Sequence, residues 1–168
     1  EGDGAITGTI VSSAAPSRDI VLQLSSDMTS RLTGPAVVTL KAGQTSVAFT
    51  ATLVDNTVID GTQNTTVTAS VENWTSGTGT VAVSDNDGTV ALTLPASGWE
   101  GQSLTGTVRI GGTLSTALTV DLSSGNTTEL TVPATVTIPA GQTTTTFTIS
   151  LHDDGFRLGT QNVSITAN

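Results

Sequence analysis

The sequence predicts an all-β chain of two tandem antiparallel β-sandwiches, the first lacking its first strand and the second its last. Three observations carry that expectation: a composition that starves helices, an internal repeat, and apolar residues that alternate inside each copy. Only 11% of the 168 residues are charged, against roughly 25% in ordinary globular domains. Thr, Ser, Gly and Val take the vacated places, and they favour strands and turns while leaving little Lys, Glu or Arg to build helices.

The repeat has an offset of 98 residues. Leu32-Thr33-Gly34-Pro35-Ala36-Val37-Val38-Thr39-Leu40-Lys41-Ala42-Gly43-Gln44-Thr45 returns as Leu130-Thr131-Val132-Pro133-Ala134-Thr135-Val136-Thr137-Ile138-Pro139-Ala140-Gly141-Gln142-Thr143, without a slip of register. The same offset carries Phe49 to Phe147, Asp55 to Asp153, and Gly61-Thr62-Gln63-Asn64 to Gly159-Thr160-Gln161-Asn162. A fixed period of this kind marks repeated modules, here spanning residues 1–87 and 88–168.

Within the copies, Ile20, Leu22 and Leu24 alternate with Val21 and Gln23, and Leu118, Val120 and Leu122 with Thr119 and Asp121. Period two is the mark of a half-buried strand. Val38 and Leu40, then Val47, Phe49, Ala51 and Leu53, then Val67, Ala69 and Val71, and lastly Val81 and Val83 continue it, punctuated by Gly, Pro, Asn and Asp. About seven short strands per copy is the arithmetic of a sandwich. Outward positions are largely Thr, whose branched Cβ suits a pleated, hydrated face. Thr89-Val90-Ala91-Leu92-Thr93-Leu94-Pro95 opens copy two and has no equivalent before Glu1; Gly79 to Asp87 closes copy one and has no equivalent after Asn168. The expectation is therefore an excised piece of a longer array.

These residues resemble the Calx-β domain in its divergent bacterial form, found as tandem repeats of large secreted and surface proteins. The resemblance rests on Glu1-Gly2 and Glu100-Gly101, on the Pro-Ala-x-Val-Thr-(Leu/Ile)-x-Ala-Gly-Gln-Thr segment, on Asp55-Asn56 and Asp153-Asp154, and on Asp85-Asn86-Asp87. It implies a seven-stranded sandwich of immunoglobulin-like type whose better-known members bind Ca²⁺ through acidic residues at one pole. Carboxylates gathered at one end repel one another, and a hard cation with 6–8 oxygen ligands removes that repulsion. In copy one the candidate ligands are Glu1, Asp55, Asn56, Asp60, Asp85 and Asp87. Copy two offers Glu100, Glu129, Asp153 and Asp154, with Leu158 in place of Asp60, and is expected to be weak or empty. Arg31 stands where copy two has Glu129.

Other chemistries find little footing. A net charge of −9 makes nucleic acid a poor partner, no apolar run approaches the roughly 18 residues that insert into a bilayer, and the absence of Cys excludes disulfides and thiolate metal sites. The one His, His152, stands beside Asp153, but its counterpart is Val54, so it reads as a strand-end surface residue and not a catalytic base. Asp85-Asn86-Asp87-Gly88 opens like an EF-hand loop, yet position 12 is Ala96. Trp74 and Trp99 are expected to be at least half buried against their own modules. The chain reads as a non-enzymatic structural segment of an extracellular bacterial surface protein, filament or adhesin stalk, stiffened by Ca²⁺ and completed by strands from adjacent repeats of the same or neighbouring chains. The alternative is a carbohydrate- or surface-binding module using exposed loops.

Overall fold

The computed structural model describes residues 1–2, 4–156 and 159–168. Its secondary structure among those residues is entirely β, and the chain divides into two compact units, Glu1–Asn56 with Asp60–Asp85, and Thr57–Ile59 with Asn86–Asn168.

The first unit contains β1 (Ala5–Val11), β2 (Ile20–Ser26), β3 (Leu32–Thr33), β4 (Val37–Leu40), β5 (Ser46–Leu53), β6 (Gln63–Ser70) and β7 (Gly77–Val83). They form one sheet ordered β1-β5-β3 and another ordered β4-β2-β6-β7, antiparallel throughout. The alternation places Leu22, Leu32, Leu40, Ala51 and Val83 inside, while Val21, one step out of phase on β2, faces solvent. A one-residue slip would exchange these faces, so the pattern fixes the register.

The second unit contains β8 (Val90–Thr93), β9 (Ser103–Ile110), β10 (Leu118–Ser124), β11 (Leu130–Thr131), β12 (Thr135–Ile138), β13 (Thr144–Leu151) and β14 (Ile165–Ala167). Its sheets run β11-β13-β9-β8 and β12-β10-β14. Val108, Ile110, Val120, Leu122, Leu130, Ile138, Phe147 and Ile149 make one buried core between them, with Leu92 of β8 and Ile59 packed against it. The segment Thr57–Ile59 enters this unit through hydrogen bonds with Thr113: Thr113 N donates to Thr57 O at 2.7 Å and Ile59 N to Thr113 O at 2.9 Å.

The 98-residue offset maps β1–β6 onto β9–β14. One cross-strand pair shows how closely: Gly8 lies opposite Phe49, and Gly106 opposite Phe147. In both modules a Cβ on the glycine would collide with the aromatic ring. The ring lies across the glycine backbone, which explains a residue otherwise unfavourable in mid-strand. Two strands fall outside the mapping. β8 lies beside β9 with no described counterpart beside β1, and β7 lies beside β6 with no described counterpart beside β14.

Candidate functional site

The strongest polar cluster lies at one end of the first unit, where β5 ends, β6 begins, β7 ends and the chain enters β3. The short β3 is preceded by a tight turn in which Arg31 N and Leu32 N both donate to Met28 O, at 3.0 and 3.1 Å. Val54 N donates to Arg31 O at 2.9 Å, so the arginine backbone is held from both sides. That turn delivers the guanidinium into the pole, where Arg31 is only 7% exposed.

There Arg31 Nη1 pairs with Glu1 Oε1, and Nη2 pairs with Asp60 Oδ2. Glu1 is also buried, and its second oxygen accepts from Asn56 Nδ2 at 2.5 Å. The backbone of Asp60 is fixed in turn by Asp85, whose Oδ2 accepts from Asp60 N at 2.7 Å and Gly61 N at 3.0 Å. Gln63 Nε2 donates to Asp60 O at 2.8 Å, and Asp55 packs against Gly2. Five of the six candidate ligands of copy one, Glu1, Asp55, Asn56, Asp60 and Asp85, thus belong to this end of the first unit. Asp87 belongs to the second unit, where its carbonyl accepts from Thr89 N at 2.7 Å and its Cβ lies against Gly112.

Two of the four carboxylates, those of Glu1 and Asp60, are neutralised in a way the acid count did not foresee. Arginine is permanently cationic and its planar fork spans two carboxylates. Between Glu1 and Asp60 it removes the carboxylate repulsion that would otherwise recruit a metal ion. As placed, these residues do not fit a divalent cation: a guanidinium occupies the position of opposite charge, and the described residues include no group of three or more His, Cys, Asp or Glu able to hold a metal. The sequence carried only a partial signal for this role: Arg31 is one of five Lys and Arg residues and stands where copy two has Glu129.

The corresponding end of the second unit is arranged differently. Glu129, in the place of Arg31, is half-buried, and its carbonyl accepts from His152 N at 2.8 Å. Glu100, Asp153 and Asp154 are exposed. Asp153 Oδ1 accepts from Gly155 N at 3.0 Å and Asp154 Oδ1 from Phe156 N at 2.8 Å, so both aspartates brace their own turn. Leu158, the counterpart of Asp60, lies outside the described residues. The His152 ring meets the Thr131 hydroxyl at 3.1 Å on the exposed surface.

The tryptophans depart from expectation in one case. Trp74 is 48% exposed, in a turn where its N–H donates to Val71 O at 3.1 Å beside Asn73, whose φ is 63°. Trp99 is 81% exposed, so the expected burial is not found there. The reason is Gly98, whose backbone approaches so closely that an added Cβ would lie 2.6 Å from Leu151 and 2.7 Å from Leu104. The chain touches the sandwich edge through glycine, and the following turn, with Trp99 N donating to Gln102 Oε1 at 3.0 Å, aims the indole outward.

No family model and no curated protein matches the chain. Among solved structures it is similar to the crystal structure of CBD12 from CALX1.2, at 11% identity and a TM-score of 0.41, covering 89% of this chain and 70% of that one. It is similar also to the calcium binding domain CBD12 of CALX1.1, at 13% identity and a TM-score of 0.44, covering 89% and 69%.

Proposed function

We propose that the chain is a structural segment of an extracellular surface protein, filament or adhesin stalk, in which tandem sandwich modules set length and resist unfolding. The observation that supports this most is the repeat itself: two copies in register over a 98-residue period, each folded as its own compact unit. Repetition of a whole module multiplies length, which is what a spacer requires. At the pole of the first unit the stiffening cation is Arg31, which ties the chain before β3 to the loop after β5 and to Glu1. Calcium stiffening, as the Calx-β resemblance implies, would require that guanidinium to leave. Force spectroscopy on the two-module chain tests the reading. Two separate unfolding events, one per module, are expected; extension without a resolved event would contradict a role in resisting force.

The exposed indole of Trp99 favours a second reading, a loop that stacks on saccharide rings or on another surface. Tryptophan fluorescence titrated with oligosaccharides separates the two. A saturable change lost in Trp99→Ala, with the fold intact, would favour binding over spacing.

A further inference from the structure

The two modules share six strands and differ at two edges, one of them beside β1 and its counterpart β9. In the second unit β8 covers β9 with the register Val90↔Ile110, Ala91↔Arg109, Leu92↔Val108 and Thr93↔Thr107. Leu92 packs on the core, and Val108 beneath it is 0% exposed. In the first unit β1, the counterpart of β9, pairs with β5 along one side, and its other side carries no described strand. Ile10, in the place of Val108, is only half-buried, as are Leu24 and Phe49, whose counterparts Leu122 and Phe147 are buried.

The result is an open groove of ≈ 410 Å³ whose lining includes Ile6, Ile10, Leu24, Phe49, Val67 and Val81. Its walls are the outer edges of β1 and β7, the end strands of the two facing sheets. Among the described residues, no charged side chain lines it. An edge of unsatisfied N–H and C=O groups above an apolar, uncharged floor is a template for strand addition.

We propose that this groove is a strand-acceptor site, and that its occupant is the first strand of a sequence-related repeat: an extended, uncharged segment with the alternation of Thr89–Pro95. The repeat supplies the docking geometry. Transferring the β8 register by 98 residues sets the Leu92-type residue opposite Ile10 and the Ala91-type residue opposite Val11, which points outward and is exposed. The strand hydrogen-bonds antiparallel to β1, and its apolar residues close over Phe49 and Leu24. The uncharged floor selects against acidic or basic peptides, since either would bury a charge without a partner.

The test uses the 168-residue chain and a synthetic peptide with the sequence of Thr89–Trp99. Backbone NMR should show saturable shifts confined to β1, β5 and β7, while a scrambled peptide of the same composition has no effect. Ile10→Lys, which puts a charge on the floor, should weaken the peptide at least tenfold. A second form guards against poor peptide solubility: the same eleven residues joined directly ahead of Glu1, which reproduces the Trp99-Glu100-Gly101 connection. In that fusion the β1 amides should gain hydrogen-exchange protection to the level of β9. The proposal is overturned if the fusion leaves β1 exchange unchanged, or if the peptide perturbs β14 and not β1. It is also overturned if the chain alone self-associates through β1, since a second copy would then be the occupant.

Discussion

Leu24 and Leu122 are the same residue at the same place in two copies of one module, yet Leu122 is buried and Leu24 is half-exposed. Nothing on their own strands accounts for it, because β2 and β10 have the same length and pattern. The difference comes from across the core, where the second unit has β8 beside β9 and the first has an open groove. Burial in a sandwich is thus a property of the edges as much as of the inward residues, and one strand decides whether three or four apolar side chains count as core.

A second contrast lies at the poles. The first unit neutralises Glu1 and Asp60 with Arg31, whereas the second has Glu129 at that position and spends Asp153 and Asp154 on turns. A buried charge pair is costly to break from one side, because the partner left behind keeps its desolvation penalty. Arg31→Met should therefore destabilise the first module by about 3–5 kcal/mol in urea unfolding, while Glu129→Gln, on the half-buried pole of the second, should stay within about 0.5 kcal/mol. Equal effects would dissolve the contrast.

The edge contrast can be broken in the same way. Leu122→Ala should cost about 2–5 kcal/mol, the usual range for a buried leucine. Leu24→Ala should cost clearly less, since that side chain already meets solvent in the groove. Adding the eleven-residue strand ahead of Glu1 should bring the two costs together, which thermal melts of the four proteins would register.

Smaller effects are expected on the surface. Trp99→Ala should change stability by no more than about 0.5 kcal/mol, because Gly98 and not the indole makes the contact with Leu104 and Leu151. Asp19 and Lys41 form an exposed pair at 2.8 Å, with Ala42 N donating to Asp19 at 2.9 Å, and copy two has Ala117 and Pro139 there. The bond from Lys41, followed by that from Ala42, holds the Asp19 carboxyl below its ordinary value. Its folded pKa is depressed, so the small stabilisation is present above the unfolded pKa and is lost as pH falls through the folded one. Lys41→Ala should raise the Asp19 pKa, as read by carboxyl NMR titration, and leave copy two unaffected.

Much of this was legible in the sequence for a physical reason. Alternation reports which face of a strand is inward, so Leu22, Leu40, Val120 and Ile138 could be placed from pattern alone, and the 98-residue offset exposed both unmatched strands. The pole was legible only as a collection of acids. Composition says which residues gather at one end of a sandwich; it does not say that the turn at Met28 swings Arg31 into their midst, nor that Asp85 Oδ2 accepts from the amides of Asp60 and Gly61. Trp99 was misjudged because aromatic rarity suggests burial, while the neighbouring glycine decides which residue touches the core.

The central claim is that a guanidinium serves as the cation of the first unit's pole. The most direct measurement is a calcium titration of the 168-residue chain followed through the Arg31 Nε–Hε resonance and the amides of Asn56, Asp60 and Gly61. With Arg31 held between Glu1 and Asp60, these signals should show no saturable shift over the roughly 10⁻⁴–10⁻³ M range in which extracellular modules bind calcium. A saturable shift in that range, with the Arg31 signal moving to the position of a solvent-exposed side chain, would mean that calcium displaces the guanidinium and would contradict the account.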